Sequence, residues 1–201
     1  VWFGDNRTNP PELRLAPQTL AALTLGAQAV LQVARLVGIP DPLTWQVLRN
    51  FRGLEHRLED VATVRGVRFV NDSKSTTPDS LLYALEQIRG RVVLIAGGRD
   101  KGMDFTSLAV PLHDARVKGV VLIGEAKGRL RALFNGSPSI QERETLDTAV
   151  EAAAALAAPG TTVLFSPACA SFDMFRDFED RGRAFKAVVE AHAERARRSE
   201  G

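Results

Sequence analysis

Val92-Val93-Leu94-Ile95-Ala96-Gly97-Gly98-Arg99-Asp100-Lys101-Gly102 runs from an unbroken apolar segment into a polar loop bounded by glycines. Apolar residues without alternation predict a strand buried on both faces, and such strands belong to parallel sheets covered by helices. Outward from this stretch the same unit recurs. Residues 67–71 read as a strand, followed by a polar loop over 72–77 and a helix over 78–88, with Thr77 as N-cap and Pro78 at the first helical position. Residues 119–123 predict a third strand, leading through Gly124-Glu125 to a helix over 126–134. An alanine-rich helix over 145–158 closes at Pro159-Gly160, and 162–165 is a further buried strand. A last helix is expected over 173–197, where seven acids and seven bases between Asp173 and Glu200 read as a solvated face. Strands alternating with helices across short loops specify an α/β fold: a Rossmann-like, mostly parallel sheet with helices on both faces.

Before that region the pattern is helical. Apolar residues recur at helical spacing over 20–37, and Gly38-Ile39-Pro40 stops that helix. Asp41-Pro42 restarts one with Leu43, Val47, Leu48 and Phe51 as its apolar stripe, and Gly53 ends it. Residues 1–53 therefore read as the helical end of a preceding domain, and 54–201 as the α/β domain.

Composition excludes several classes. Of the 201 residues 25% are charged and 45% hydrophobic, ordinary values for a folded domain. Lys+Arg is 26 against Asp+Glu 24, and a net charge of +2 gives no basic field for nucleic acid. The single cysteine, Cys169, excludes a disulfide framework and suits a reducing, cytoplasmic setting; its expected role is an inert buried thiol. The uncharged stretch over 15–34 is interrupted by Pro17, Gln18, Thr19, Thr24, Gly26, Gln28 and Gln32, which favours a buried helix over a membrane span.

In doubly wound sheets ligands bind outside the carboxyl ends of the strands. The loops predicted there carry Asp72, Ser73, Lys74, Ser75, Thr76 and Thr77, then Arg99, Asp100 and Lys101, then Ser166, Cys169 and Ser171. Lysines, hydroxyls and helix N-termini together suit a carboxylate or phosphate. The alternative is that Thr76 and Thr77 only cap a helix and the lysines are solvated. Neither a G-x-x-x-x-G-K-[ST] phosphate loop nor a G-x-G-x-x-G turn is present.

Four segments narrow this reading: Gly53-Leu54-Glu55-His56-Arg57-Leu58-Glu59, Asn71-Asp72-Ser73-Lys74-Ser75-Thr76, Gly97-Gly98-Arg99-Asp100-Lys101-Gly102-Met103-Asp104-Phe105 and Ser166-Pro167-Ala168-Cys169-Ala170-Ser171-Phe172-Asp173-Met174-Phe175. In this order they resemble the Mur ligase family of peptidoglycan synthesis, in the branch that adds D-glutamate, over about residues 38–188. The resemblance implies an ATP-dependent ligase that activates UDP-N-acetylmuramoyl-L-alanine as an acyl phosphate, which the amine of D-glutamate attacks. It implies that residues 1–53 end the central ATP-binding domain and that 54–201 form the Rossmann-like domain that brings the amino acid. Thr76, Lys101 and Ser171 then resemble the residues that grip the D-glutamate carboxylates, with Phe172 and Phe178 as its apolar flank. His56, Arg57, Asp72 and Lys74 resemble positions near ATP: Arg57 suits a phosphate and Asp72 a ribose hydroxyl, the alternative being an ion pair between the two. ATP and Mg2+ are implied, with the metal ligands mainly in a part of such an enzyme that this chain does not include, and the fragment alone is expected to be inactive. A cytoplasmic monomer without nucleic-acid or membrane partners is expected. One departure stands: the family's Gly-x-His-Asn-x-x-Asn stretch corresponds here to 20–26, which holds neither His nor Asn. A related amide ligase such as a folylpolyglutamate synthase, or a stand-alone anion-binding module, are the competing readings.

Overall fold

The apolar run over 92–96 lies at the heart of a six-stranded sheet in a computed structural model that describes residues 25–51, 53–133 and 139–199. The strands are β1 (Glu59–Val64), β2 (Val67–Asn71), β3 (Arg91–Gly97), β4 (Val117–Ile123), β5 (Ser139–Glu142) and β6 (Thr161–Phe165). Their order across the sheet is β1-β2-β6-β3-β4-β5. Every neighbouring pair from β2 to β5 is parallel, and only β1 runs antiparallel, against β2. The fold is thus the mostly parallel α/β sheet that the alternation of elements implied.

Side chains of the central strands alternate between two cores, as the pleat requires. Val70, Leu94, Leu122 and Leu164 point to one face, where α3 (Pro78–Gln87), a 3-10 turn (Thr106–Leu108), α4 (Ala109–Leu112) and α5 (Lys127–Arg131) lie. Phe69, Ile95, Val121, Val163 and Phe165 point to the other, against α6 (Leu146–Leu156) and α7 (Phe178–Arg198). The α3 start is built as expected: the Thr77 hydroxyl accepts from the Ser80 N–H, Ser80 caps in return, and Pro78 opens the helix.

Several expectations are corrected. β1 and β5 were not read from the sequence. β1 joins β2 through the two-residue turn Arg65-Gly66, with φ 49° and 75°, the left-handed pair that a tight hairpin needs. α7 begins at Phe178, not at 173, because the Asp177 carboxylate accepts from the Asp180 N–H at 2.6 Å and caps it there. Its charges are not all solvated, since Arg181 is 1% exposed. α5 is short, and Phe134 lies outside the described residues.

The chain divides into two compact units, Val1–Arg52 and Gly53–Gly201. In the first, α1 (Leu25–Leu36) and α2 (Asp41–Asn50) are joined by Gly38 at φ 77° and Pro40, and the Arg35 guanidinium pairs with Asp41. Leu31 and Ala34 are buried, whereas Leu43, Val47 and Phe51 of the expected stripe are exposed. Residues 20–24, most of the segment that departs from the family pattern, lie outside the described residues. Among the described residues no helix is long and apolar enough to cross a membrane.

Candidate functional site

The parallel strands β2, β6 and β3 are adjacent, so the loops leaving their carboxyl ends emerge side by side. Backbone hydrogen bonds fasten those loops to one another. Asp72 N–H donates to Phe165 O at 2.8 Å, Gly97 N–H to Pro167 O at 2.8 Å, and Arg99 N–H to Ala170 O at 2.9 Å. From the β4 end, Ala126 N–H donates to Gly98 O at 2.9 Å. The close approach requires glycine at 98, where φ is 148° and a Cβ would stand 2.4 Å from Ala170 O. Ala168, one turn away in the β6 loop, holds φ 58° without being glycine, a conformation that surrounding contacts must enforce.

Of the residues expected to grip an amino acid, Thr76 follows β2, Lys101 follows β3 and Ser171 follows β6. Thr76 is half-buried, Lys101 exposed and Ser171 buried, with the Ser171 carbonyl accepting from the N–H groups of Met174 and Phe175 at 3.1 and 2.9 Å. Both expected apolar neighbours face a lysine. The Lys101 ammonium stands 5.3 Å from the centre of the Phe172 ring, and that of Lys74 stands 4.5 Å from the Phe178 ring. Among the described residues neither lysine has a carboxylate partner.

The residues expected near a nucleotide are drawn together, in part by burial. His56, at φ 61°, and Leu58, at φ 46°, flank Arg57 in a tight turn. That turn is sewn to the β2 loop: Lys74 N–H donates to His56 O at 3.0 Å, and Leu58 N–H to Asp72 Oδ1 at 3.2 Å. Asp72 is fully buried, its Oδ2 accepting from Ser166 Oγ at 2.9 Å, and the Arg57 guanidinium lies 3.8 Å from Oδ1. The ion pair between Arg57 and Asp72 is thus formed, and the carboxylate has both oxygens engaged. Burial raises the Asp72 carboxyl above the usual range, against the opposing pull of the Ser166 hydroxyl, the Leu58 N–H and Arg57. Arg57 keeps partial exposure, and Lys74 is half-buried.

His56 is also buried, and its tautomer follows from Asn71. Asn71 Oδ1 accepts from the Ser73 N–H at 3.1 Å, so its amide nitrogen faces His56 Nδ1 at 3.0 Å and Gly182 O at 3.3 Å. Nδ1 must then accept, which leaves Nε2 as a buried N–H without a partner, 3.7 Å from Glu55 Oε1. Glu55, His56 and Glu59 are a cluster of metal-ligand types. The Lys186 ammonium already bridges the two carboxylates, at 3.1 and 2.7 Å, and Nε2 offers a proton in place of a lone pair. Burial pushes the Glu59 carboxyl up, but Lys186 and the backbone N–H of His56 outweigh it and hold it below its ordinary value. These residues do not fit a divalent metal ion.

Sequence reasoning missed Arg181. Its guanidinium donates to Ser73 Oγ (3.0 Å), Ser73 O (2.8 Å) and Cys169 O (2.9 Å), tying the β2 loop to the β6 loop from beneath. Burial lowers its pKa to about 10, and it lies 6.0 Å from the centre of the Phe165 ring. A signal was present: Phe178, Arg181, Phe185 and Val189 fall on one helical stripe, which places an arginine on an apolar face. Cys169 is buried with its thiol pushed up to about 12, as befits the inert role.

The glutamate ligase domain of the Mur ligase family matches residues 56–169. A UDP-N-acetylmuramoylalanine–D-glutamate ligase of Chlorobium luteolum is 48% identical over 157 residues, covering 78% of this chain and 34% of that protein. One of a Geobacter species is 46% identical over 147 residues, covering 73% and 32%. The chain spans about a third of the length of the curated relatives it matches. Among solved structures, a MurF ligase of Thermotoga maritima in complex with ADP aligns with a TM-score of 0.58 at 18% identity, covering 81% of this chain and 37% of that one. A bifunctional folylpolyglutamate synthase/dihydrofolate synthase of Yersinia pestis, complexed with AMPPNP and Mn ion, gives 0.55 at 17%, covering 81% and 38%. At those identities the likeness establishes the shared fold.

Proposed function

The chain belongs to the Mur ligase family, through its glutamate ligase domain, and on that premise we propose that it is the C-terminal part of an ATP-dependent ligase that joins D-glutamate to UDP-N-acetylmuramoyl-L-alanine. Residues 1–53 would end the central ATP-binding domain, and 54–201 would be the domain that presents the amino acid. The observation that carries the reading is the pair of lysines, Lys74 and Lys101, delivered to one sheet edge without carboxylate partners among the described residues. A dicarboxylate amino acid supplies the missing charge at Lys101, and a nucleotide phosphate the one at Lys74. Lys101, Thr76 and Ser171 would hold its carboxylates, and Phe172 and Phe178 would flank its methylenes.

In the complete enzyme the acceptor carboxylate takes the γ-phosphoryl group of ATP and ADP leaves. The glutamate amine adds to the acyl carbon, phosphate departs, and the amine gives up a proton. This chain's share is to neutralise the glutamate carboxylates, so that the amine is the end left free to react. Arg57 and Lys74 are the cations available to a nucleotide phosphate. His56 and Asp72 act in our reading by fixing the turn that carries Arg57, since both are buried. Magnesium would be held mainly by residues of the complete enzyme outside this chain; among the described residues the Glu55–His56–Glu59 cluster is committed to Lys186. The names of the 48% identical relatives favour D-glutamate over the folylpolyglutamate alternative. The test is amide formation by the complete protein that contains this chain, assayed with D-glutamate, L-glutamate and other amino acids. Selective use of D-glutamate supports the reading, and preference for L-glutamate on a folate acceptor sinks it.

A further inference from the structure

Phe172 has no account in the packing. It is 62% exposed, directly after Ser171, which is buried. What it does face is the Lys101 ammonium, 5.3 Å from the ring centre, inside the roughly 6 Å over which a ring face attracts a cation. The acid nearest in sequence, Asp100, is engaged elsewhere: its Oδ1 accepts from Arg129 at 2.6 Å and from the Gly102 N–H at 2.9 Å. Lys74 and Phe178 repeat the arrangement at 4.5 Å, so both unpaired lysines at this edge rest on phenyl rings.

We propose that Phe172 is a positioning residue whose ring face holds the Lys101 ammonium ready for a substrate carboxylate. The proposal rests on the reading that this site takes D-glutamate. A ring suits the task where a carboxylate would not. An acid would neutralise Lys101 and compete with the substrate, whereas the ring's negative face restrains the flexible stem and leaves the positive charge unmatched. Binding then orders fewer bonds, and the cation keeps the ring on one side while it gains a carboxylate on the other. Exposure of Phe172 follows from this role, since a ring buried in the core could not present its face to a cation at the rim.

The experiment replaces Phe172 in the complete ligase with 3,4,5-trifluorophenylalanine, which keeps the ring's shape but drains charge from its face. The KM for D-glutamate is expected to rise about two- to fivefold, by a larger factor than the KM for ATP. Phe172→Leu, which also loses the ring that flanks the substrate, should raise it at least as far, and Phe172→Trp should raise it less than Phe172→Leu. An unchanged KM in the fluorinated protein overturns the proposal. A second measurement needs no turnover: in the 201-residue chain the ε-methylene protons of Lys101 should be shifted upfield by the ring, and should return to the ordinary lysine position in Phe172→Leu. Identical positions in the two proteins overturn the pairing itself. A complete protein that ignores D-glutamate while Lys101 keeps its upfield shift overturns the proposed function and leaves the pairing standing.

Discussion

At Lys101 the ammonium faces a phenyl ring and, among the described residues, no carboxylate, so its removal should be felt by an anionic ligand far more than by the fold. A charge-assisted hydrogen bond contributes about 1.5–3 kcal/mol. Lys101→Met in the complete ligase is therefore expected to raise the KM for D-glutamate about tenfold to a hundredfold, with an unchanged denaturation midpoint; steady-state kinetics beside urea unfolding checks both. Asp72 is the opposite case. Its carboxyl is buried and raised, so the folded chain binds that proton more readily than the unfolded one. The sign follows: this group's contribution to stability is present below its unfolded pKa and is lost as pH rises through the higher folded value. Asp72→Asn can still accept from the Leu58 N–H and can donate to Ser166 Oγ. At neutral pH it should be as stable as the parent or more so, by up to about 1 kcal/mol. Its stability should also vary less with pH than the parent's as pH rises above the ordinary carboxylate range. Urea midpoints across that rise measure the difference, and a large loss in the variant at neutral pH would show that the charge itself holds the turn together.

Among the elements, β3, β4 and β6 were legible because an apolar run without alternation has few other uses in a chain of this composition. β1 was not, since Glu59 and Asp60 mix with half-buried Val61 and Ala62 on an edge, where one side of the strand needs no apolar cover. β5 has four residues, too few for a period to register. The loops of the site were legible as a group of hydroxyls and lysines after strands, because topology alone gathers strand ends on one edge. What each side chain does there was less so. Asp72 reads either as a ribose ligand or as the ion-pair partner of Arg57 until its burial is known, and Arg181 reads as one of many helix charges until its place on the apolar stripe is noticed. The strand-end glycines can be tested at this scale. Gly98→Ala must adopt φ 148° and press a methyl against Ala170 O. Its expected cost is at least about 1–3 kcal/mol from the backbone conformation, read as a lowered urea midpoint. Gly128→Ala, with open space at the Cβ position, should leave the midpoint near its parent value.

For the molecule as a whole, the apolar cores on both sheet faces are built wholly within Gly53–Gly201. All three loops that would meet the amino acid belong to that same unit. A unit with its own core is expected to fold alone, so residues 53–201 made separately should unfold in one cooperative step. The same separation bears on chemistry. The sequence holds no G-x-x-x-x-G-K-[ST] loop, and the described residues give no fitting place for a divalent metal. Recognition of the amino acid and activation of its acceptor should therefore come apart in this chain. D-glutamate should raise the melting temperature of the 201-residue protein, by an amount growing as RT ln(1 + [L]/Kd). That rise should be lost in Lys101→Met. ATP, D-glutamate and UDP-N-acetylmuramoyl-L-alanine supplied together should yield neither phosphate nor amide. Calorimetry gives the first result and a phosphate-release assay the second. Turnover by this chain would place the phosphoryl-transfer machinery within it, and would overturn the proposed division of labour.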